Sequence, residues 1–213
     1  MKNKIATYTL LLIGIASFAQ SSSKAQLLLN EVSANMATYQ NMYFKFKYIL
    51  ENKEVGMKQE SDGFVTTENE KYNLEFMGTQ FIHDGENTYV ILPEDEEVNI
   101  VEGGDEEATL TPSKLLSFYK EGFTYVWDQS QQIADIKIQF IKLIPIDSKA
   151  ESSYFMLGIN SEKKQIYNIK EVGNNGTETL FEIEDFKTNQ TISKNLFVFD
   201  EKKYLEENYT INK

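Results

Sequence analysis

The feature that most constrains the fold is a series of short segments in which apolar and polar residues alternate. In the first, residues 42–50, an apolar or aromatic side chain stands at every even position. Because successive side chains of a β-strand point to opposite faces, this alternation predicts a strand with one apolar face. Similar segments follow at intervals of roughly ten residues, separated by turn residues such as Asp84-Gly85. The sequence therefore predicts a meander of antiparallel strands.

The later strands are predicted from the same alternation. They lie at residues 63–67, 71–77, 80–83, 88–92, 97–101, 123–127, 136–140, 153–159, 165–172, 178–186 and 196–199. The polar residues after Lys203 are expected to fray. About eleven short strands are more than a flat sheet carries without curling, so we expect a strongly curved antiparallel sheet or an incomplete β-barrel.

Two segments have a helical pattern instead. Residues 23–40 repeat apolar side chains every three or four positions. A second, shorter helix is predicted between Thr111 and Gly122, because threonine caps a helix and Pro112 suits its first turn. Each helix has one apolar face to bury, so we expect both to cover the concave side of the sheet.

The N-terminus has the layout of a secretory signal peptide. Lys2 and Lys4 precede an apolar stretch over 5–16, and small residues stand before a cleavage point after Ala19. The alternative is a membrane anchor, but the apolar stretch is shorter than the ~18 residues that a spanning helix needs. The prediction is a signal peptide over residues 1–19 and a single exported domain over 20–213.

Composition argues against most catalytic and metal-binding chemistry. The chain has no cysteine, one histidine (His83) and no phosphate-loop, zinc-protease or serine-hydrolase motif. His83 is expected to be a surface residue beside a turn. The acidic segments 94–97 and 102–107 match no calcium loop and are expected to be solvated turns. No catalytic residue, metal or cofactor is predicted.

Charge indicates which partners are unsuitable. The chain carries 33 acidic residues against 21 lysines, with no arginine, for a net charge of −12. Such a balance repels nucleic acid and anionic membrane surfaces. We expect neither nucleic-acid binding nor stable insertion into a membrane.

Aromatic residues are the most informative part of the composition. Fourteen phenylalanines, twelve tyrosines and one tryptophan concentrate on alternating strand positions and on the helix after Thr111. They either fill an ordinary core or line a concave surface for a long hydrophobic ligand. Composition alone leaves both alternatives open.

The order of several short motifs resembles the periplasmic outer-membrane lipoprotein carriers, the LolA-like family. These motifs are Ala25-Gln26-Leu27-Leu28, Tyr43-Phe44-Lys45-Phe46, Phe81-Ile82-His83-Asp84-Gly85, Thr111-Pro112-Ser113-Lys114-Leu115-Leu116 and Leu196-Phe197-Val198-Phe199. The resemblance implies an eleven-stranded unclosed barrel with a helical lid over a hydrophobic cavity. Well-known members of this family use an arginine on an early strand to hydrogen-bond the lid. This chain has no arginine, so Lys45 or Lys47 would have to take that role, and lysine is an imperfect substitute.

With that resemblance, we assign the lipid-contacting residues. The cavity walls are assigned to Phe44, Phe46, Tyr72, Leu74, Phe76, Tyr89, Ile91, Tyr125, Trp127, Ile138 and Phe140. The lid contacts are assigned to Leu115, Leu116 and Phe118.

The resemblance implies that this protein is a monomeric transport chaperone of the periplasm without catalytic activity. It would receive acylated lipoproteins from an ABC-type release complex of the inner membrane and pass them towards an outer-membrane acceptor. Two alternatives stay open at this point: a lipid- or lipoprotein-sensing module on the same fold, and a periplasmic hydrolase.

Overall fold

The computed structural model describes residues 21–102 and 111–212. The predicted signal peptide and most of the acidic segment 102–107 lie outside the described residues. The boundaries of a single domain over 20–213 stay a prediction.

Strands dominate the described chain. Helix α1 covers residues 21–36. The first six strands are β1 (Asn41–Asn52), β2 (Met57–Glu68), β3 (Lys71–Phe76), β4 (Thr79–His83), β5 (Asn87–Leu92) and β6 (Glu97–Glu102). Helix α2 (Pro112–Leu115) and a 3-10 turn (Phe118–Lys120) follow. The remaining elements are β7 (Phe123–Ile133), β8 (Ile136–Pro145), β9 (Ser152–Asn160), β10 (Gln165–Gly173), β11 (Thr177–Thr188), α3 (Glu201–Glu206) and β12 (Thr210–Asn212).

The strands form one hydrogen-bonded sheet in the order β12-β6-β5-β4-β3-β2-β1-β11-β10-β9-β8-β7. Neighbours in sequence are mostly neighbours in the sheet, as expected of a meander. Among the described strands β12 and β7 end this order, so the sheet is open. The predicted fold class, mainly β with helices and an incomplete barrel, is confirmed: the open sheet has twelve strands where about eleven were predicted, and its pair β12–β6 is parallel.

The described chain divides into two compact units. The first contains residues 21–37 and 119–179, and so includes α1 and β7 to β10. Its core includes Ile141, Leu143, Leu157 and Ile159, which have no exposed side-chain surface. The second contains the described parts of 38–118 and 180–212, with β1 to β6, most of β11, both short helices and β12.

The C-terminus differs from the prediction. Residues 196–199 form turns and irregular backbone where we predicted a strand. The tail predicted to fray instead forms α3, capped by Asp200, whose carboxylate accepts from the amide of Lys203. It ends in β12, which pairs parallel to β6 with Ile211 opposite Val98.

Burial explains that ordered tail. Tyr204 of α3 is 7 % exposed and packs on a cluster formed by Ile82, Ile91 and Val98. One large side chain removed from water contributes about 2 kcal/mol, which offsets the fraying tendency of a polar terminus. The tail after Lys203 has a polar pattern because only Tyr204, Leu205, Tyr209 and Ile211 of its ten residues are apolar or aromatic.

The two predicted helices are shorter than expected. Helix α1 ends at residue 36 where the pattern predicted 40, with Ala25 and Val32 fully buried. The start of α2 is confirmed: the Thr111 hydroxyl accepts from the amide of Lys114 at 3.2 Å. After Leu116 the α-helical turn gives way to the 3-10 turn.

A candidate lipid-binding surface

The pairing register of β1 to β5 aligns a row of apolar side chains across five strands. Phe44 lies opposite Val65, Val65 opposite Leu74, Leu74 opposite Phe81, and Phe81 opposite Val90. Directly paired residues of antiparallel strands point to the same face of the sheet. The row is therefore continuous hydrocarbon on one face of the second unit.

A second row runs beside the first and has a gap in its middle. Phe46 lies opposite Gly63, and Gly63 lies opposite Phe76. The ring of Phe46 occupies the space above Gly63: a Cβ there would overlap the ring end and stand 2.9 Å from the carbonyl oxygen of Glu75. Glycine at this position lets the rings of Phe46 and Phe76 come within 5.5 Å of each other, centroid to centroid.

More rings extend this surface. Phe181 of β11 contacts Phe46 with centroids 4.6 Å apart, and Phe186 stacks on Phe44 at 6.2 Å. Phe44 and Phe46 are only 1 % and 4 % exposed, whereas Leu74 is half-buried. We call this surface the aromatic face; its members on β1 to β5 are Phe44, Phe46, Tyr48, Val65, Tyr72, Leu74, Phe76, Phe81 and Val90.

His83 belongs to the same face. It lies opposite Tyr72, and the two rings stack with centroids 5.3 Å apart. Its Nδ1 is 3.0 Å from the hydroxyl of Thr88. Burial raises the pKa of the Tyr72 hydroxyl, so that group stays neutral. His83 is therefore half-buried at the edge of the aromatic face, beside the polar side chain of Thr88. The expectation that it is a surface residue is corrected accordingly.

Two predicted wall residues lie on the other face. Tyr89 pairs with Ile82 and Ile91 pairs with Gln80, positions that alternate with the aromatic-face residues. Tyr89 and Ile91 pack instead on the side covered by α3, in the cluster of Tyr204. The sequence showed an alternating apolar pair but not which face it occupied. The structure does not bring these two residues to the aromatic face.

In the first unit, the four predicted wall residues divide between two faces. Tyr125 lies opposite Leu143 and Trp127 opposite Ile141. Ile138 and Phe140 alternate with those partners along β8 and therefore point to the opposite side, where Phe140 packs against Gly158. Strand β8 has apolar residues on both faces. Its sequence pattern therefore did not show that Ile141 and Leu143, and not Ile138 and Phe140, share a face with Tyr125 and Trp127.

The side with Tyr125 and Trp127 carries α1. The Trp127 amide donates to the Ser21 hydroxyl at 3.0 Å, and the Lys24 ammonium lies 4.0 Å from the indole centroid. The Tyr125 hydroxyl donates to the carbonyl oxygens of Tyr119 and Lys120. A cavity of about 200 Å³ remains between α1 and Tyr119 and Tyr125. This side of the first unit is therefore occupied mainly by the helix.

The predicted lid residues lie in and after α2. Leu116 is buried, Leu115 and Phe118 are half-buried, and α2 lies next to β2. The lysines considered for the arginine position pair elsewhere: Lys45 Nζ lies 3.6 Å from Glu184 and Lys47 Nζ lies 3.2 Å from Glu60. A role of α2 as a lid stays a prediction.

Sequence reasoning missed several members of the aromatic face. The missed residues all lie within predicted strands: Val65, Phe81, Val90 and Phe181. The first three belong to β1 to β5, and Phe181 belongs to β11. Each of these residues is at an apolar position of its own alternating strand pattern. The sequence does not give the pairing register, which decides whether neighbouring strands point their apolar residues to the same side.

Comparison with known families gives this geometry a context. The family model described as outer membrane lipoprotein carrier protein LolA matches residues 77–200, more than half of the chain. The chain belongs to this family, as the resemblance predicted. A comparison with curated proteins found no significant match.

Solved structures agree on the fold. The chain is similar to an uncharacterized conserved protein from Thermus thermophilus, at 10 % identity and a TM-score of 0.53, with 84 % of this chain and 95 % of that chain covered. It is also similar to LprF from Mycobacterium bovis, at 12 % identity, a TM-score of 0.50, and coverage of 82 % and 98 %. At such identities the likeness shows the fold alone.

No helix within residues 21–102 and 111–212 is long and apolar enough to cross a membrane.

Proposed function

We propose that this protein is a periplasmic chaperone that binds the acyl chains of lipoproteins and carries them towards the outer membrane. The observation that carries the proposal is the aromatic face, whose central row is apolar across five paired strands. Family membership supports the same conclusion, because the matching model is that of a lipoprotein carrier.

The energetics of the cargo define what the surface must do. Each buried methylene contributes about 0.8 kcal/mol, so a 16-carbon chain in a membrane is stabilised by on the order of 12 kcal/mol. A carrier must offer comparable apolar surface while still releasing the chain. Half-buried side chains such as Leu74 and Phe81 offer contact, and buried rings such as Phe46 can yield part of their own packing.

The contacts between rings of the aromatic face have a specific role in binding and release. In the free protein the rings of Phe44, Phe46 and Phe181 cover one another, which keeps apolar surface out of water. An acyl chain that enters replaces ring-to-ring contacts by ring-to-chain contacts. The net gain is then smaller than the full burial energy, so the cargo remains transferable.

The carrier also needs donor and acceptor partners. An inner-membrane ABC-type complex would release the lipoprotein, and an outer-membrane acceptor would receive it. Helix α2 would act as the lid, with Leu115, Leu116 and Phe118 contacting the chains. The protein would work as a monomer in the periplasm after removal of residues 1–19, without catalysis.

The test places a photo-crosslinking residue at Phe81 in cells that express an acylated lipoprotein. We expect crosslinks from position 81, on the aromatic face, and none from the control position Val55, which is 74 % exposed in a turn. The same lipoprotein with its acylated cysteine replaced by serine should not crosslink. Capture of the unacylated cargo at equal yield would contradict the proposal.

A matched pair of variants tests the row itself. Leu74→Asp places a charge in the middle of the apolar row and should abolish crosslinking from position 81, while Val55→Asp should leave it unchanged. Circular dichroism checks that both variants are folded. Depletion of the protein should then leave outer-membrane lipoproteins in the inner membrane; unchanged sorting would contradict delivery while leaving lipid binding intact.

A further inference from the structure

A groove with mixed apolar and acidic character lies in the second unit, beside the hairpin that joins β3 and β4. Its volume of about 470 Å³ falls within the range of about 300 to 1,000 Å³ that is usual for ligand sites. Its lining includes Lys45, Asp62, Phe64, Glu75, Met77 and Pro93.

The register separates this groove from the aromatic face. Lys45 lies opposite Phe64 and Phe64 opposite Glu75, and all three alternate with aromatic-face residues along their strands. Gly63 and Phe76 also line the groove, so its floor reaches the end of that face. The side chains that give the groove its charge nevertheless point to the other side of the sheet.

Two large apolar side chains are exposed at the groove. Phe64 is 38 % exposed and Met77 is 46 % exposed. Met77 also has a φ of 51°, and Gly78 beside it has a φ of 77°, so the hairpin turn requires the left-handed region at both positions. A bulky apolar residue is uncommon in that conformation.

The other left-handed turns make Met77 an exception. Elsewhere in the described chain the non-glycine residues with positive φ are polar or alanine: Asn69, Glu96, Ala134, Lys164, Asn189 and Asn208. Neither backbone preference nor burial accounts for methionine at this tip. Exposed apolar groups beside a concave surface are typical of interaction sites.

Charge indicates the kind of partner. Lys45 is paired with Glu184 at 3.6 Å, whereas Asp62 and Glu75 form no ion pair among the described residues. The groove therefore presents two carboxylates beside exposed hydrocarbon. Anionic groups are repelled from it, and a cation next to an apolar side chain complements it.

We propose that this groove binds an extended segment of a partner protein in which a lysine or arginine stands next to a bulky apolar residue. The apolar side chain lies against Phe64 and Met77, and the cation pairs with Asp62 and Glu75. The groove is thus a protein-docking site whose recognition side chains point away from the acyl-binding surface, although Phe76 borders both. A phospholipid surface would use Met77 but gain nothing from the two carboxylates.

The probe is a fluorescent, end-capped peptide, Gly-Leu-Lys-Phe-Lys-Gly, titrated by anisotropy at low salt. The wild-type protein should bind it, and should bind it more weakly as salt screens the pairs. The counterpart with glutamate in place of lysine should bind at least several-fold more weakly. Equal binding of the two peptides, or no binding of the lysine peptide, would overturn the proposal.

Variants then locate the site. Asp62→Asn with Glu75→Gln should weaken binding about fivefold, the effect expected for two partly exposed ion pairs. Glu54→Gln with Glu70→Gln removes the same charge from exposed turns outside the groove and should have no effect. Equal weakening by both pairs would show that only the net charge matters and would overturn the assignment.

Phe64→Ser and Met77→Ser test the apolar part, and each should weaken peptide binding. If Met77→Ser instead reduced only sedimentation with phosphatidylcholine vesicles, a membrane surface would be the occupant and the proposal would fail. Crosslinking of acylated cargo from position 81 should be unchanged in all these variants. A failure here is therefore distinguishable from a failure of the proposed carrier function.

Discussion

The contact between Phe46 and Gly63 yields a prediction with a definite size. Gly63→Ala puts a methyl group where the end of the Phe46 ring lies, 2.8 Å from its Cε2, and 2.9 Å from the carbonyl oxygen of Glu75. Overpacking of this kind costs about 1 to 3 kcal/mol. Replacing glycine by alanine returns up to about 1 kcal/mol by restricting the unfolded chain. We expect a net loss of about 1.5 kcal/mol in the free energy of unfolding.

Urea unfolding followed by circular dichroism measures this loss. With a slope of about 2 kcal/mol per molar urea, the midpoint should fall by roughly 0.7 M. Phe46→Leu removes the two ring atoms nearest the new methyl, so Gly63→Ala should cost less in that background. The backbone oxygen of Glu75 remains, so the rescue should be partial.

The double-mutant cycle decides whether the contact is the cause. A coupling energy above about 0.5 kcal/mol is the expected sign of direct contact. If Gly63→Ala cost the same with phenylalanine and with leucine at position 46, or cost nothing at all, the argument that Gly63 makes room for the Phe46 ring would be refuted.

Two further predictions concern the second unit. Tyr204→Ala should lower the free energy of unfolding by about 3 kcal/mol, because Tyr204 packs on Ile82, Ile91 and Val98. It should also speed amide exchange in β12. The control Leu205→Ala, at an exposed site, should change the free energy of unfolding by less than about 0.5 kcal/mol. Burial opposes ionisation of Asp84, but the amides of Asn87 and Glu86 and the Tyr89 hydroxyl together hold its pKa below the ordinary 3.8. A depressed carboxyl pKa stabilises the fold above the ordinary value, and the contribution is lost as the pH falls through the folded-state pKa. Urea midpoints measured from about pH 5 to 2 should therefore fall less steeply for Asp84→Asn than for the wild type; parallel curves would contradict this account.

The strand meander was predictable because its signals are local. Alternation within residues 42–50 and the Asp84-Gly85 turn depend on neighbours in sequence, and both are present as predicted in β1 and between β4 and β5. The Thr111 cap is local as well, since a threonine side chain and an amide three residues later suffice to form it. Family membership followed from the order of such segments.

The composition of the candidate surface was only partly predictable. Five of the residues assigned to the cavity walls share one face of the sheet: Phe44, Phe46, Tyr72, Leu74 and Phe76. They do so because short turns join β1, β2 and β3 and fix the register of their pairing. Tyr89 and Ile91 obey the same alternation but point the other way. A shift of one residue in pairing exchanges the two faces of a strand, and no pattern within a single strand reports it.

The sequence by itself determined where the strands and turns from β1 to β11 form, since alternation, glycine and proline act over a few residues. Only the tertiary structure decided which apolar residues meet. Pairing register assigned Phe81 and Val90 to the aromatic face, and long-range burial turned a polar tail into α3 and β12 around Tyr204. The physical reason is that hydrophobic burial depends on contacts between residues far apart in the chain, and such contacts exist only once the sheet has formed.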